Sequence, residues 1–442
     1  MRQILLTFFL TTIFATSIHA AEFIVNELSR DKNKSATWIA LPYALTSETT
    51  GLTGGVVGIF HGFLQPQMTV VATLFRGEKL PVKKLGVPDG EEAYTQGGFL
   101  AVSGVRIPYT ERLFFSYLGM RAYYPNQRLY INGANDSLQD LESGDTPLQT
   151  QGWNNWTNID LRYVLKIGDS KEEVLPVIET MRGIAVNRDH IGGGNPFETG
   201  QTVIGVNPFY QLWSADKLDP EAQVATNGLK FYLEHDNTDY PSNPSRGYSF
   251  KVEYAQDFGW AESSQEWNAI EASYSHYFEL PDLLYTRQNL IAVNVWSAYS
   301  PSWDYSTPYV TSDGRTSTNF HKGQPPMWEG ARLGGFDRMR AYDSNRFNDK
   351  AAIYGAVEYR VIPQLNPMRD QEWSPIPIMW FQGVLFAEAG RVAPQYDLEL
   401  FEDLKYDVGF SIRALAASVP VRFEMAFGSE GSAMRFMLKQ PF

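Results

Sequence analysis

The chain has 442 residues, a formal net charge of −13, no cysteine, and an aromatic content of 14% that includes 24 Tyr. The missing thiols exclude a disulfide scaffold and thiolate metal sites, and the acidic balance speaks against a nucleic-acid partner, which would want a basic stripe. Aromatic richness suits a protein with two membrane-interface girdles, but a large carbohydrate-binding sandwich could share it.

At the amino-terminus, residues 1–20 carry Arg2, an apolar run from Ile4 to Phe14 and a small-residue ending, "TSIHAA". This pattern predicts a secretory signal peptide cleaved after Ala20, because the apolar stretch falls short of the ~20 residues that a spanning helix needs. Residues 21–36 are then expected to be a short periplasmic segment and residues 37–442 a single domain. No later apolar run is long enough for a spanning helix, so that domain is either soluble or a barrel.

Alternation separates these two. In "RGYSFKVEYAQDF", Tyr248, Phe250, Val252, Tyr254 and Phe258 face one way, and Ser249, Lys251, Glu253 and Asp257 face the other. One such strand is ambiguous, but many are not. Strands are expected near 37–47, 51–62, 66–76, 97–107, 112–123, 155–168, 200–214, 227–237, 247–258, 267–279, 288–299, 351–363, 378–392, 405–416, 419–428 and 432–442. Sixteen strands of about 11 residues suit a tilted bilayer span, and an even count closes an antiparallel barrel with both ends in the periplasm.

The long polar connections 124–154 and 301–350 then lie outside the cell, whereas 169–199 is an unusually long periplasmic one. Within it, "SKEEVLPVIETM" reads as a short helix or a strand, and Gly192 to Gly194 as a loop without a phosphate-binding pattern. The closing stretch "SAMRFMLKQPF" puts Met434, Phe436, Leu438 and Phe442 toward lipid and Arg435 and Lys439 toward water. A terminal strand ending in an aromatic residue is what outer-membrane barrels present to their assembly machinery. Phe436, Leu438 and Phe442 are therefore the expected assembly signal, and a Gram-negative outer membrane the expected location.

Three segments of the second half resemble the BamA/TamA superfamily of outer-membrane assembly and secretion barrels. "GLKFYLEHDNTDYPSNPSRGYSF" is similar to its strand, Asp-rich turn and Arg-Gly return, carried by Asp236, Asp239, Pro244, Arg246 and Gly247. "LGGFDRMRAYDSNRF" resembles its Arg-Gly-Tyr/Phe loop, which folds from outside back into the lumen, and places Arg340, Ala341 and Tyr342 on that tripeptide. Ala341 replaces the usual Gly, which implies strain wherever the backbone requires a positive φ. "GVLFAEAGRV" resembles a strand with an acidic residue inside the wall, here Glu388. The resemblance nominates Glu358 and Glu388 as the carboxylates that receive the planar fork of Arg340. It covers roughly 227–442. The family usually carries periplasmic POTRA domains, and none is recognised here.

No enzymatic constellation stands out, and no cofactor or metal is expected. His61, His190, His235, His276 and His321 are dispersed without HExxH spacing, and no GxSxG elbow occurs. His276 is expected to face lipid and Ser275 the lumen, so they do not pair. Glu91 with Glu92 and Glu172 with Glu173 read as solvated, and Glu234, Glu253 and Glu271 as lumen carboxylates. The leading expectation is a non-catalytic member of this superfamily that helps to insert or move proteins or lipids through a seam between its first and last strands, whose unpaired edges could template another strand. The alternatives are a passive or plugged pore for small solutes and a surface structural protein or antigen. Expected partners are outer-membrane lipids including lipopolysaccharide, the barrel assembly machinery during biogenesis, and a separate periplasmic subunit.

Overall fold

A computed structural model describes residues 23–28, 38–47, 51–62, 64–84, 87–130, 148–189, 191–214, 224–281, 283–310, 314, 316–368, 378–416 and 419–442. The expected signal peptide over 1–20, all of 29–37 and His190 lie outside the described residues. Among those residues no helix is long and apolar enough to cross a membrane.

A short strand, β1 (Ile24–Glu27), precedes the wall. The wall begins with β2 (Trp38–Ser47), β3 (Gly51–His61), β4 (Thr69–Lys84), β5 (Val87–Arg106), β6 (Leu113–Leu129) and β7 (Leu148–Val164). Two small strands, β8 (Val177–Met181) and β9 (Ile184–Ala185), interrupt it before β10 (Gln201–Trp213), β11 (Val224–Thr238), β12 (Gly247–Asp257), β13 (Trp267–Glu279) and β14 (Thr286–Tyr299). The connection that follows holds β15 (Asp304–Val310), β16 (Thr316–Lys322), β17 (Arg332–Leu333) and β18 (Phe347–Asn348). The wall resumes with β19 (Ala351–Pro363), β20 (Ile378–Ala393), β21 (Lys405–Ala416), β22 (Val419–Gly428) and β23 (Gly431–Leu438).

All sixteen wall strands belong to one antiparallel sheet whose hydrogen-bonded order follows the chain from β2 to β23, and the architecture is a β-barrel. The two-residue period sorts the side chains: Val252, Tyr254, Ile270 and Tyr274 point outward and exposed, while Ser275 is buried and accepts a hydrogen bond from Asn294 Nδ2 at 2.9 Å. His276 lies on the outer side with Tyr274, 2.8 Å from its hydroxyl.

The structure departs from the sequence reading in three places. First, β4, β5, β6 and β7 run for 16, 20, 17 and 17 residues instead of about 11, so that β6 and β7 reach into the expected connection 124–154 and β7 ends at Val164. The β4–β5 ladder passes an irregularity between Arg76 and Lys79 and resumes at Lys79 opposite Tyr94. The Arg76 guanidinium sits 4.0 Å above the Tyr94 ring, a cation–π contact that supports the extension.

Second, "SKEEVLPVIETM" is neither a helix nor a wall strand. A 3-10 turn over Gly168–Lys171 leads to β8, which pairs in parallel with β1 and antiparallel with β9 in a separate three-stranded sheet. Glu27 on β1 anchors it, its carboxylate accepting from the amides of Arg182 and Gly183, each at 2.8 Å, and from Thr180 Oγ1 at 3.0 Å. Trp380 Nε1 ties this sheet to the wall by donating to Gly183 O at 2.9 Å.

Third, the carboxy-terminus does not continue as a lipid-facing strand. Phe436 and Leu438 lie opposite the inward-pointing Arg435, as alternation requires, but β23 stops at Leu438 and Lys439 adopts φ +70°. The chain then turns into the lumen. There the Phe442 ring lies 5.0 Å from the Arg360 guanidinium and packs beside Tyr277, Leu290 and Ala292. The cation and the apolar cluster hold the ring inside, and both are distant in sequence, which is why the terminal alternation misplaces it.

The β11–β12 turn shows why its residues have these identities. Asp239 accepts hydrogen bonds from Ser245 N at 2.8 Å, Ser245 Oγ at 2.5 Å and Arg246 N at 3.3 Å. These bonds favour its charge, yet burial outweighs them and pushes the carboxyl pKa up. Asp236 sits at the end of β11, outside the turn proper, and accepts from Thr238 N at 2.9 Å. Pro244 precedes the return, and the half-buried Arg246 reaches the exposed Asp189 at 3.0 Å.

Gly247 has φ +93°, and a Cβ there would stand 2.0 Å from Asn237 O. Gly247→Ala is therefore expected to cost about 2–4 kcal/mol through backbone strain and displacement of the ladder. Gly194→Ala, where a Cβ meets nothing within 4 Å, should be neutral. Thermal denaturation of the folded, heat-modifiable form compares the two, and equal midpoints would refute the assignment.

Candidate functional site

Between β17 and β18 the chain leaves the rim and folds into the lumen. The excursion is closed at its base by the pairs Arg332 with Asn348 and Leu333 with Phe347. Its turn depends on Met339, fully buried at φ +51°, a left-handed conformation that is costly for a side chain with a Cβ. Ala341 is absent from the residues with positive φ. The strain expected at Ala341 thus falls on Met339, and Ala341 is in ordinary backbone. Its amide donates to Asp407 Oδ2 at 2.7 Å, and its methyl packs against Gly428, where a Cβ would come within 3.0 Å.

Arg340 follows the strained turn with its side chain wholly shielded from solvent. Its amide and Nε donate to Glu388 at 2.7 and 2.9 Å, and Nη1 donates to Glu424 Oε1 at 2.8 Å. Nη2 lies 2.8 Å from Glu358 Oε1, within ion-pairing distance though off the line of a hydrogen bond. The Phe386 ring lies 3.6 Å beneath the guanidinium carbon, and Tyr354 Oη donates to Glu388 Oε1 at 2.5 Å.

These contacts continue outward. Glu358 also receives Arg413 at 2.8 Å and Arg360 at 2.7 Å, and Glu424 receives Arg413 at 3.3 Å and Arg422 at 3.0 Å. Arg422 reaches back to the loop, donating to Phe336 O at 3.0 Å and Asp337 Oδ1 at 2.7 Å. Arg435 donates to the carbonyls of Arg340 and Tyr342, and the Tyr342 hydroxyl donates to Tyr406 O at 3.1 Å. Farther along the loop, Arg346 Nε and Nη2 form a bidentate pair with Glu430 at 2.9 and 2.7 Å.

The structure brings Arg340, Glu358 and Glu388 together, with Ala341 and Tyr342 against the same wall. Glu424, Asp407, Arg360, Arg413 and Arg422 were not singled out in the sequence, and Arg435 was read only as water-facing. Their signal was available as charges at i, i+2 spacing on the inner face of apolar strands, in Glu358/Arg360 and Arg422/Glu424. The turn-motif residues lie apart from the cluster, linked to it through the tail. Arg413 donates to Gln440, Gln440 to Gln382 at 3.4 Å, and Gln382 to Asn243 in the β11–β12 turn at 3.1 Å. Among the described residues no group of three His, Asp or Glu could hold a metal.

Residues 201–436, more than half of the chain, match the Omp85 superfamily domain. No curated protein matches the sequence. Among solved structures, CdiB from Escherichia coli aligns over 91% of this chain and 61% of its own at 10% identity and a TM-score of 0.51, a likeness of fold. BamA from Haemophilus ducreyi lacking POTRA domains 1-3 aligns over 90% and 69% at 10% identity with a TM-score of 0.45. CdiB from Acinetobacter baumannii aligns over 90% and 58% at 10% identity with a TM-score of 0.49.

Removing one partner from a buried ion cluster typically costs about 3–5 kcal/mol, and Lys cannot reproduce a fork aimed at three carboxylates. Arg340→Ala and Arg340→Lys are both expected to make the 300–350 connection protease-sensitive while the barrel persists. Rescue of Arg340→Ala should be greatest with Glu388→Gln, because Glu358 and Glu424 keep other arginines. Wild-type protease resistance and melting in both single variants would show the contacts to be dispensable.

Proposed function

Since the chain belongs to the Omp85 superfamily and is an outer-membrane β-barrel, we propose that it assists insertion or translocation of polypeptides or lipids at a lateral seam between β2 and β23, without enzymatic chemistry. The observation that carries this reading is the unequal bracing of the wall. The ladder order begins at β2 and ends at β23, and the buried ion cluster joins the inward loop to β19, β20 and β22, with Arg435 of β23 on the loop carbonyls. One flank of the seam is held by charge, and the other carries no comparable cluster among the described residues. An unpaired strand edge at such a junction is a template for an incoming strand.

The barrel assembly machinery would act on the chain during biogenesis. Lipopolysaccharide and a separate periplasmic subunit are proposed partners. A passive pore is less well supported, because the inward loop occupies the lumen and the β1–β8–β9 sheet packs against the wall through Trp380.

The chain has no cysteine, so engineered pairs placed across β2 and β23 report without background. Depletion is expected to lower the levels of other barrels or unbalance outer-membrane lipids, measured by quantitative proteomics and lipid analysis. A disulfide-locked seam should fail to complement until reduced. Depletion without change in either class, or full complementation by the locked barrel, would favour a pore or surface role.

A further inference from the structure

The lumen holds a cavity of about 1010 Å³ whose walls differ in character. Its described lining residues on β7, β10–β14 and the inward loop include Asp160, Lys230, Glu253, Glu271, Arg332 and Asp337, but none from β2–β6 carries a charge. Barrel interiors facing water are ordinarily polar. Here cross-strand register places Val57 opposite Thr73, Thr73 opposite Phe99, Phe99 opposite Met120, and Met120 opposite Trp156. These side chains form a band along the inner wall from β3, next to the seam strand β2, to β7. Its part that lines the cavity, Thr73 to Trp156, spans three strand spacings of ~4.8 Å, about 14 Å. An acyl chain reaches across roughly half of a ~30 Å hydrocarbon core, so one chain can lie along it.

The opposite wall offers a matching cation. Lys230 and Lys251 are ion-paired with Glu253, and Arg332 with Glu271. Arg338 lines the same cavity. Its guanidinium lies 3.9 Å above the Trp296 ring, and it makes no ion pair with any described residue. Glu271 and Asp337 are near enough to influence it, but neither closes on it as a salt bridge. A guanidinium held flat by an aromatic ring keeps its edge free for the two oxygens of a phosphodiester.

We propose that this cavity is a binding site for an anionic phospholipid, with one acyl chain on the Thr73–Trp156 band and the headgroup phosphate on Arg338. This goes beyond the seam reading. Entry of the lipid between β2 and β23 rests on that reading, whereas occupancy of the site does not. The volume falls at the upper end of the ~300–1,000 Å³ typical of small-molecule sites, which admits a lipid chain and headgroup.

The test uses the full mature chain in nanodiscs of phosphatidylethanolamine and phosphatidylglycerol. The probe is phosphatidylglycerol with a diazirine at the end of one acyl chain, and labelled residues are mapped by mass spectrometry. Labels are expected on Phe99, Met120 or Trp156 in addition to the outward Leu74 and Leu100, which any surrounding lipid reaches. Arg338→Gln should lower the inner label about tenfold, as loss of a charge-assisted contact implies, while leaving the outer label unchanged. Met120→Gln, a polar replacement on a lumen face, should lower the inner label without affecting heat-modifiability.

Labels confined to outward residues would overturn the proposal. So would inner labelling that is the same for a phosphatidylcholine probe and indifferent to Arg338→Gln, or protection of the band by an apolar barrel-strand peptide and not by lipid. If the inner label persists in a barrel whose seam was locked before lipid was added, the site stands and the seam route fails.

Discussion

A guanidinium cannot shed its proton inside a protein, so a buried arginine must bring carboxylates to it or stay in water. Arg340, like Arg360 and Arg413, is fully shielded, and its Nε and both Nη atoms each face a different glutamate, one on each of three wall strands. That requirement fixes the inward position of the loop. It also accounts for Met339, whose left-handed backbone places the arginine amide on Glu388. Strain of this kind persists where the surroundings over-determine it, and here the surroundings are three carboxylates whose only full neutralisation includes this side chain.

The same cluster divides the barrel. From β19 to β23 the interior interleaves arginine and glutamate with an apolar core around Tyr354 and Phe386, and the tail extends it where Arg413 meets Gln440 and Arg360 meets Phe442. From β2 to β6 the described residues that line the lumen carry no charge and mix aromatic and apolar side chains with Thr53, Thr73 and Ser116, and Phe99 packs on Trp156 of β7 at 5.9 Å. The two ends of the ladder fall where these halves adjoin. A strand on the charged side is tied to the loop by directional contacts that fail when displaced. One on the apolar side is held by its backbone ladder and by non-directional packing that tolerates sliding.

Much of this was legible because a barrel wall obeys one rule: alternation with a two-residue period named all sixteen strands in order, and long-range packing could not override it where lipid fixed one face. Legibility ended where the wall did. Beyond the bilayer β4 and β5 continue as a pair held by Arg76 on Tyr94, which no lipid constraint announces. Phe442 continues the alternation but leaves the strand, because the Lys439 backbone turns it toward a cation on β19. In the cluster, Arg340, Glu358 and Glu388 could be nominated by resemblance. Glu424 could not, since an acidic residue on an inner face is unremarkable until its distance to a particular guanidinium is known.

Opening between β2 and β23 would spare every ion pair described here, since none of them crosses that junction. Opening at β22–β23 would instead pull Arg435 from the loop carbonyls, and opening at β19–β20 would divide the carboxylates that Arg340 holds together. Hydrogen-bonded ladders are of similar strength per residue along an antiparallel sheet, so side-chain terms of a few kcal/mol decide which junction yields first. The inward loop thereby braces the strands on the β19–β23 side of that junction.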